Sequence, residues 1–135
     1  MQKTVISTNN SPAAIGPYSQ AIRFNELVFV SGQIPINPGS GKVIRGNIKE
    51  QTKQVLENLQ NILEAGGSSL QNVLRTTIFL SDMDDYATVN KTYAQYFESS
   101  PPARSTVQVS RLPRDVHIEI DAIAYATNQE NLLDA

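Results

Sequence analysis

"ARSTVQVSRLPRDVHIEIDAIA", residues 103–124, decides the fold. Apolar and polar residues alternate with a period of two, the mark of strands with one buried face. A short turn interrupts them, so the stretch reads as a strand pair. One face of that pair carries Val107 and Val109, then Val116, Ile118, Ile120 and Ala122. The other carries Arg104, Thr106, Gln108, His117, Glu119 and Asp121. An arginine and two carboxylates on one strand face call for a chemical explanation.

Upstream, "YSQAIRFNELVFVSGQIP" reads as a hairpin turning at Asn25-Glu26. In that register Tyr18 and Gln20 share a face with Ser31 and Gln33. "NIKEQTKQVLENLQNILEAGG" reads as a helix. Asn47 is its N-cap, Glu50 stands at the capping-box position, and Gly66-Gly67 stops it. Its apolar stripe is Val55, Leu56, Leu59, Ile62 and Leu63. "VLRTTIFLS" reads as a buried strand. "SDMDDYATVNKTYAQYF" reads as a second helix with acidic residues at its positive end. Asn90 lies on its inward stripe with Tyr86, Val89, Tyr93 and Phe97. The order is strand pair, helix, strand, helix, strand pair. It predicts one α+β domain over residues 1–135, with two helices packed on one face of a mixed sheet. "TNQENLLDA", from about residue 127, reads as a frayed polar tail. The sheet face left without helices carries Phe29, Ile123 and Tyr125 beside its charged residues, which is the composition of an interface between subunits that encloses polar pockets.

A chain of 135 residues buries roughly 70% of its unfolded surface, enough for a core without staples. It has no cysteine and one histidine, which excludes disulfides, thiolate metal sites and multi-histidine metal sites. A net charge of −2 without a basic run argues against nucleic acid and anionic membranes as main partners. The first residues have the character of neither a signal nor a transit peptide. No apolar run approaches the roughly 20 residues that span a bilayer. The expected location is the cytoplasm.

Arg104 follows Pro101-Pro102-Ala103, at the mouth of its strand. Its planar guanidinium suits the two-point grip of a substrate carboxylate, and equally an ion pair with Asp121 or Glu119. Glu119, flanked by Ile118 and Ile120, is a candidate acid-base group with a raised pKa; Asp121 has the same geometry, and the pattern alone does not rank them. Asn90 needs a partner for an inward amide. Tyr18 and Ser31 are strand residues that read equally as structural. Ser31 has no His-Asp partnership around His117, which argues against a hydrolytic triad. "DMDD" lacks the rest of a calcium loop, and "GSGK" lacks the spacing of a phosphate loop.

Taken together, "SPAAIGPYSQAI", "FVSGQIPINPGSGKV", "ATVNKTYAQYF" and "PPARSTVQVSRLPRDVHIEIDAIA" resemble the RidA/YjgF family of reactive-intermediate deaminases, in the family's order and up to about Ala126. The resemblance implies a chorismate-mutase-like α+β fold and a homotrimer with active sites between subunits. It implies hydrolysis of 2-imino acids (2-iminopropanoate, 2-iminobutanoate) to 2-keto acids and ammonia, with no metal and no organic cofactor. Arg104 would hold the substrate carboxylate and Glu119 would hold and activate water. Tyr18, Ser31 and Asn90 match further pocket positions, and Gly32 matches one whose backbone meets ligand. Thr106 stands where relatives often have cysteine, and its hydroxyl can still supply a hydrogen bond. Two rival functions are a module that binds small carboxylates without turnover and a ribonuclease or translation inhibitor.

Overall fold

In a computed structural model, which describes residues 2–127, one six-stranded sheet carries two helices. The strands are β1 (Thr4–Ile6), β2 (Ala21–Phe24), β3 (Leu27–Gln33), β4 (Val73–Leu80), β5 (Ala103–Gln108) and β6 (Ile118–Tyr125). Helix α1 spans Ile48–Ala65 and α2 spans Tyr86–Ala94. The spatial order is β1-β2-β3-β6-β4-β5. All neighbours are antiparallel except β4 and β5, which are parallel. The fold is therefore the expected α+β mixed sheet. The polar tail from residue 128 onward lies outside the described residues.

The strand pair expected at 103–124 is corrected. β5 and β6 are both strands, but they do not pair, because β4 lies between them. Parallel strands need a long crossover, and residues 81–102, including α2, supply it from β4 to β5. The chain then passes from the β5 edge to the middle of the sheet. It does so through a 3₁₀ turn at Pro113–Asp115, where Arg114 and Asp115 take φ of 56° and 57°. The hairpin upstream has the expected turn, with Phe24 opposite Leu27 and Asn25 in the left-handed region that asparagine tolerates. Strand β1, short and edge-paired to β2, was not anticipated.

One face of the sheet meets α1. Val55, Leu56, Leu59, Ile62 and Leu63 are fully buried against Val28, Ile78, Ile118, Ile120 and Ala124. The α1 cap is as expected, with Asn47 Oδ1 accepting from the Glu50 amide at 2.9 Å. At its far end, Arg23 Nη1 donates to the Gly66 carbonyl at 3.1 Å, a cation placed where the helix dipole is negative. Among the described residues no helix covers the other sheet face. It leaves Phe29, Val107 and Tyr125 exposed, with Phe29 paired to Ile123 and Leu27 to Tyr125.

Two local features set the functional groups. In β3, Val30 pairs with Ala122 and Gln33 with Ile120, so Ser31 and Gly32 together oppose the single residue Asp121. This bulge turns Gln33 onto the core face, where it is buried, and separates it from Ser31. In β5, Arg104 pairs with Thr76 and Thr106 with Ile78, which face the helices. Glu119 and Asp121 pair with Phe79 and Thr77, which belong to the opposite face. Arg104 therefore does not share a face with Glu119 and Asp121, contrary to the alternation read across the whole stretch. In β5, Arg104, Thr106 and Gln108 point to the helix side, and Ser105 and Val107 point away.

Candidate active site

The first group of site residues lies where the edge strand β5 passes α2. Tyr86, Asn90 and Tyr93 are spaced by four and three residues, so one helix face presents all three to the strand. Arg104 Nη2 donates to Asn90 Oδ1 at 2.8 Å and to Tyr86 Oη at 3.1 Å. Its Cζ lies 5.6 Å from the Tyr86 ring centre and 5.0 Å from that of Tyr93, within cation–π range. Tyr93 is fixed in turn by a 2.8 Å hydrogen bond between its hydroxyl and Thr76 Oγ1. Burial pushes the Tyr93 hydroxyl pKa up, partly offset by that hydrogen bond and by the Arg104 charge.

Among the described residues no carboxylate reaches Arg104. Among the described residues the one ion pair joins Arg111 to Asp115, at 2.7 Å on an exposed turn. The expected alternative partners, Asp121 and Glu119, are on the far side of the sheet. Beside Arg104, Thr106 Oγ1 is buried without a hydrogen-bond partner among the described residues. A cation held by neutral groups and a hydroxyl with no acceptor or donor together make a receptive site for an anion with more than one oxygen.

The second group lies on the other face, around the β3 bulge. Gly32 runs directly against the Glu119 side chain, and a Cβ at residue 32 would collide with the Glu119 carboxylate. Any larger residue here would displace the Glu119 carboxylate from its position. Burial raises the Glu119 pKa, and the neighbouring Asp121 charge adds to the rise. The two carboxylates, equivalent in the sequence, are now distinct. Asp121 Oδ1 accepts from the Thr77 backbone amide at 3.2 Å, whereas no hydrogen bond from a described residue reaches the Glu119 carboxylate. Ser31 Oγ donates to the Ser19 carbonyl at 2.6 Å, an internal tie of the hairpin.

Tyr18 is half exposed in the turn before β2, its hydroxyl accepting from the Ile15 amide at 3.2 Å. It lines a cleft of about 300 Å³ with Pro12, Ile15, Gly32, Ile34 and Arg114. The cleft wall is built by groups that sequence reasoning did not single out. The buried Gln20 amide donates to the Pro12 carbonyl at 2.7 Å and the Thr8 carbonyl at 3.1 Å, while Asn58 Nδ2 donates to the Ile36 carbonyl at 3.0 Å. Tyr86 and Tyr93 were read only as apolar stripe. Their spacing from Asn90 was the available signal. His117 Nδ1 is 3.0 Å from Ser81 Oγ and takes no part in either group.

The fold and these two groups define a class: chorismate-mutase-like α+β proteins that present a held guanidinium on one side of the sheet and a partly buried carboxylate with a raised pKa on the other. The family model described as endoribonuclease L-PSP matches residues 8–126, and the chain belongs to that family, which is the RutC/RidA family. A RutC family protein of Pyrococcus horikoshii is 57% identical over 91% of this chain and 98% of its own. The 2-iminobutanoate/2-iminopropanoate deaminase of Mus musculus is 48% identical over 90% of both chains. The crystal structure of Escherichia coli TdcF with bound serine superposes with a TM-score of 0.88 at 41% identity, covering 92% of this chain and 99% of that one. Family and relatives support an imine or enamine deaminase as the coarse activity.

Proposed function

We propose that the protein hydrolyses 2-imino acids, 2-iminopropanoate and 2-iminobutanoate among them, to 2-keto acids and ammonia. The observation that carries the proposal is Arg104: a guanidinium held in place by Asn90, Tyr86 and Tyr93, with no carboxylate partner among the described residues. Every such substrate brings a carboxylate. In this reading Arg104 and Thr106 take the substrate carboxylate, Glu119 serves as the acid-base group, and Tyr18, Ser31 and the Gly32 backbone line the pocket.

The chemistry needs little more than orientation and one proton carrier. The protonated imine carbon is attacked by water as Glu119 takes a proton from it. The C–O bond forms and the C=N π electrons move to nitrogen, giving a neutral carbinolamine. Glu119 returns the proton to that nitrogen. The C–N bond then breaks with its electron pair leaving on ammonia. The hydroxyl proton departs as the ketone forms, and the products are a keto acid and ammonium. A carboxylate with a raised pKa suits a group that both accepts and returns a proton near neutral pH. No metal or organic cofactor enters.

Arg104 and Glu119 are on opposite faces of one sheet, so a neighbouring copy of the chain would complete each site. We place the sites between subunits of a homotrimer, with Phe29, Ile123 and Tyr125 in the contact. Light scattering at micromolar concentration should give a trimer mass; a monomer mass would sink the assembly. For the activity, serine or threonine dehydratase generates the imine in situ and keto-acid release is followed. Addition of the protein should speed it, and an unchanged rate would refute the proposal and leave a carboxylate-binding module. The family model's description favours a second reading, ribonuclease. Degradation of a defined RNA that persists in an Arg104→Ala variant lacking imine hydrolysis would favour it.

A further inference from the structure

The two hydrogen bonds of Arg104 both leave from the same nitrogen, Nη2: one to Asn90 Oδ1 at 2.8 Å, one to Tyr86 Oη at 3.1 Å. Nη2 has two hydrogens, so both are engaged. A guanidinium grips a carboxylate through parallel N–H groups on two adjacent nitrogens. The two available forks are Nε with Nη2 and Nη1 with Nη2. Each uses an Nη2 hydrogen. In the observed state neither fork is open, and a carboxylate that binds by two points must displace one of the two partners.

The partners are unequal. Asn90 makes the shorter bond and lies partly buried on the inner stripe of α2. Tyr86 makes the longer bond, stands at the start of the helix, and is 39% exposed, so a small tilt of its side chain can carry the hydroxyl to water at little cost. A carboxylate is also the stronger acceptor for a guanidinium than a neutral phenol oxygen. We infer that the Tyr86 hydroxyl is a placeholder for one carboxylate oxygen of the substrate, a position it yields on binding by a tilt of its side chain. Asn90 is the fixed brace. Tyr86 is thus a further residue of the substrate-binding site, one that sets affinity by competing for the fork. The inference rests on the proposed role of Arg104 as carboxylate clamp.

The test is calorimetric binding of 2-ketobutyrate to the parent, Tyr86→Phe and Arg104→Ala proteins, with thermal midpoints recorded for each. Phenylalanine keeps the ring and removes the competing oxygen. Tyr86→Phe should bind more tightly than the parent by roughly twofold to tenfold, the range of one net hydrogen bond, with its ligand-free thermal midpoint lowered by no more than a few degrees, the cost of that same bond. Arg104→Ala should lose binding. If Arg104→Ala loses binding but Tyr86→Phe binds equally or more weakly, the hydroxyl is a brace or a direct ligand contact and the placeholder is wrong. If Arg104→Ala binds as the parent does, or if no chain binds, the clamp reading fails first and the placeholder falls with it.

Discussion

Glu119 owes its character to burial and to a like charge, and both act in one direction. Its carboxyl holds its proton more tightly in the folded chain than the ordinary 4.5 of glutamate. Its contribution to stability is therefore fully present below that ordinary value and is lost as pH rises through the raised folded value. Glu119→Gln removes the charge and keeps the size. The variant should be more stable than the parent at neutral pH, with the difference vanishing below the ordinary glutamate value, as urea midpoints at the two pH values would record. Its turnover in the coupled assay should fall, and the acid limb of the pH–rate profile, which in the parent should lie above the ordinary glutamate value, should disappear. Parent-level turnover would shift the acid-base role to Asp121. For Arg104 the decisive property is shape. Lysine keeps the charge and loses the fork and the stacking area against Tyr86 and Tyr93. Charge-assisted hydrogen bonds contribute about 1.5–3 kcal/mol each, so Arg104→Lys should lower kcat/KM by at least about tenfold. Equal kcat/KM would show that charge alone suffices.

At the scale of elements, what was legible depended on whether the signal was local. Helix α1 announced its whole extent: Asn47 caps it, the stripe from Val55 to Leu63 faces the core, and Gly66-Gly67 ends it with Gly67 at φ 81°. The cap bond is exposed and can be removed cleanly. Asn47→Ala should cost about 1 kcal/mol of stability, within the 0.5–2 kcal/mol range of such caps, read as a lower urea midpoint with activity retained; no change would mean that the Glu50 amide finds water instead. The pairing of β5 with β4 was not legible. A parallel crossover and a short turn leave the same alternation in the sequence, and alternation fixes which residues share a face within a strand, not between strands. That is why Arg104 was assigned to the face of Glu119. The β3 bulge was hidden for a related reason. An extra residue changes the period once, at Ser31-Gly32, and only the partner strand reveals it. Residue types still mark Arg104, Glu119 and Asn90 as candidates, and the structure brings Arg104 and Asn90 into contact. Gln20 and Asn58 are not marked in this way, since their role is to hold loop carbonyls that come from distant parts of the chain.

At the scale of the molecule, a sheet stands between the two groups proposed to act on the substrate. Arg104 is on the edge strand β5 and faces α2, whereas Glu119 is on β6 and faces the side without helices. A cyclic assembly joins unlike patches, so the β5 edge of one copy can meet the bulge side of the next, and each contact can hold one Arg104 and one Glu119 from different chains. This arrangement makes a strong prediction about mixtures. Arg104→Ala trimers and Glu119→Gln trimers should each be nearly inactive. Co-expressed, the two variants should form mixed trimers in which a contact is intact whenever a Glu119→Gln chain supplies the arginine and an Arg104→Ala chain supplies the glutamate. With random association that holds for about a quarter of contacts, so roughly a quarter of the parent activity should return. Both purification tags on the same trimers would prove the mixing. If each chain instead built its own site from its own Arg104 and Glu119, no combination could restore one. Mixed trimers as inactive as the separate variants would then place both groups in a single subunit.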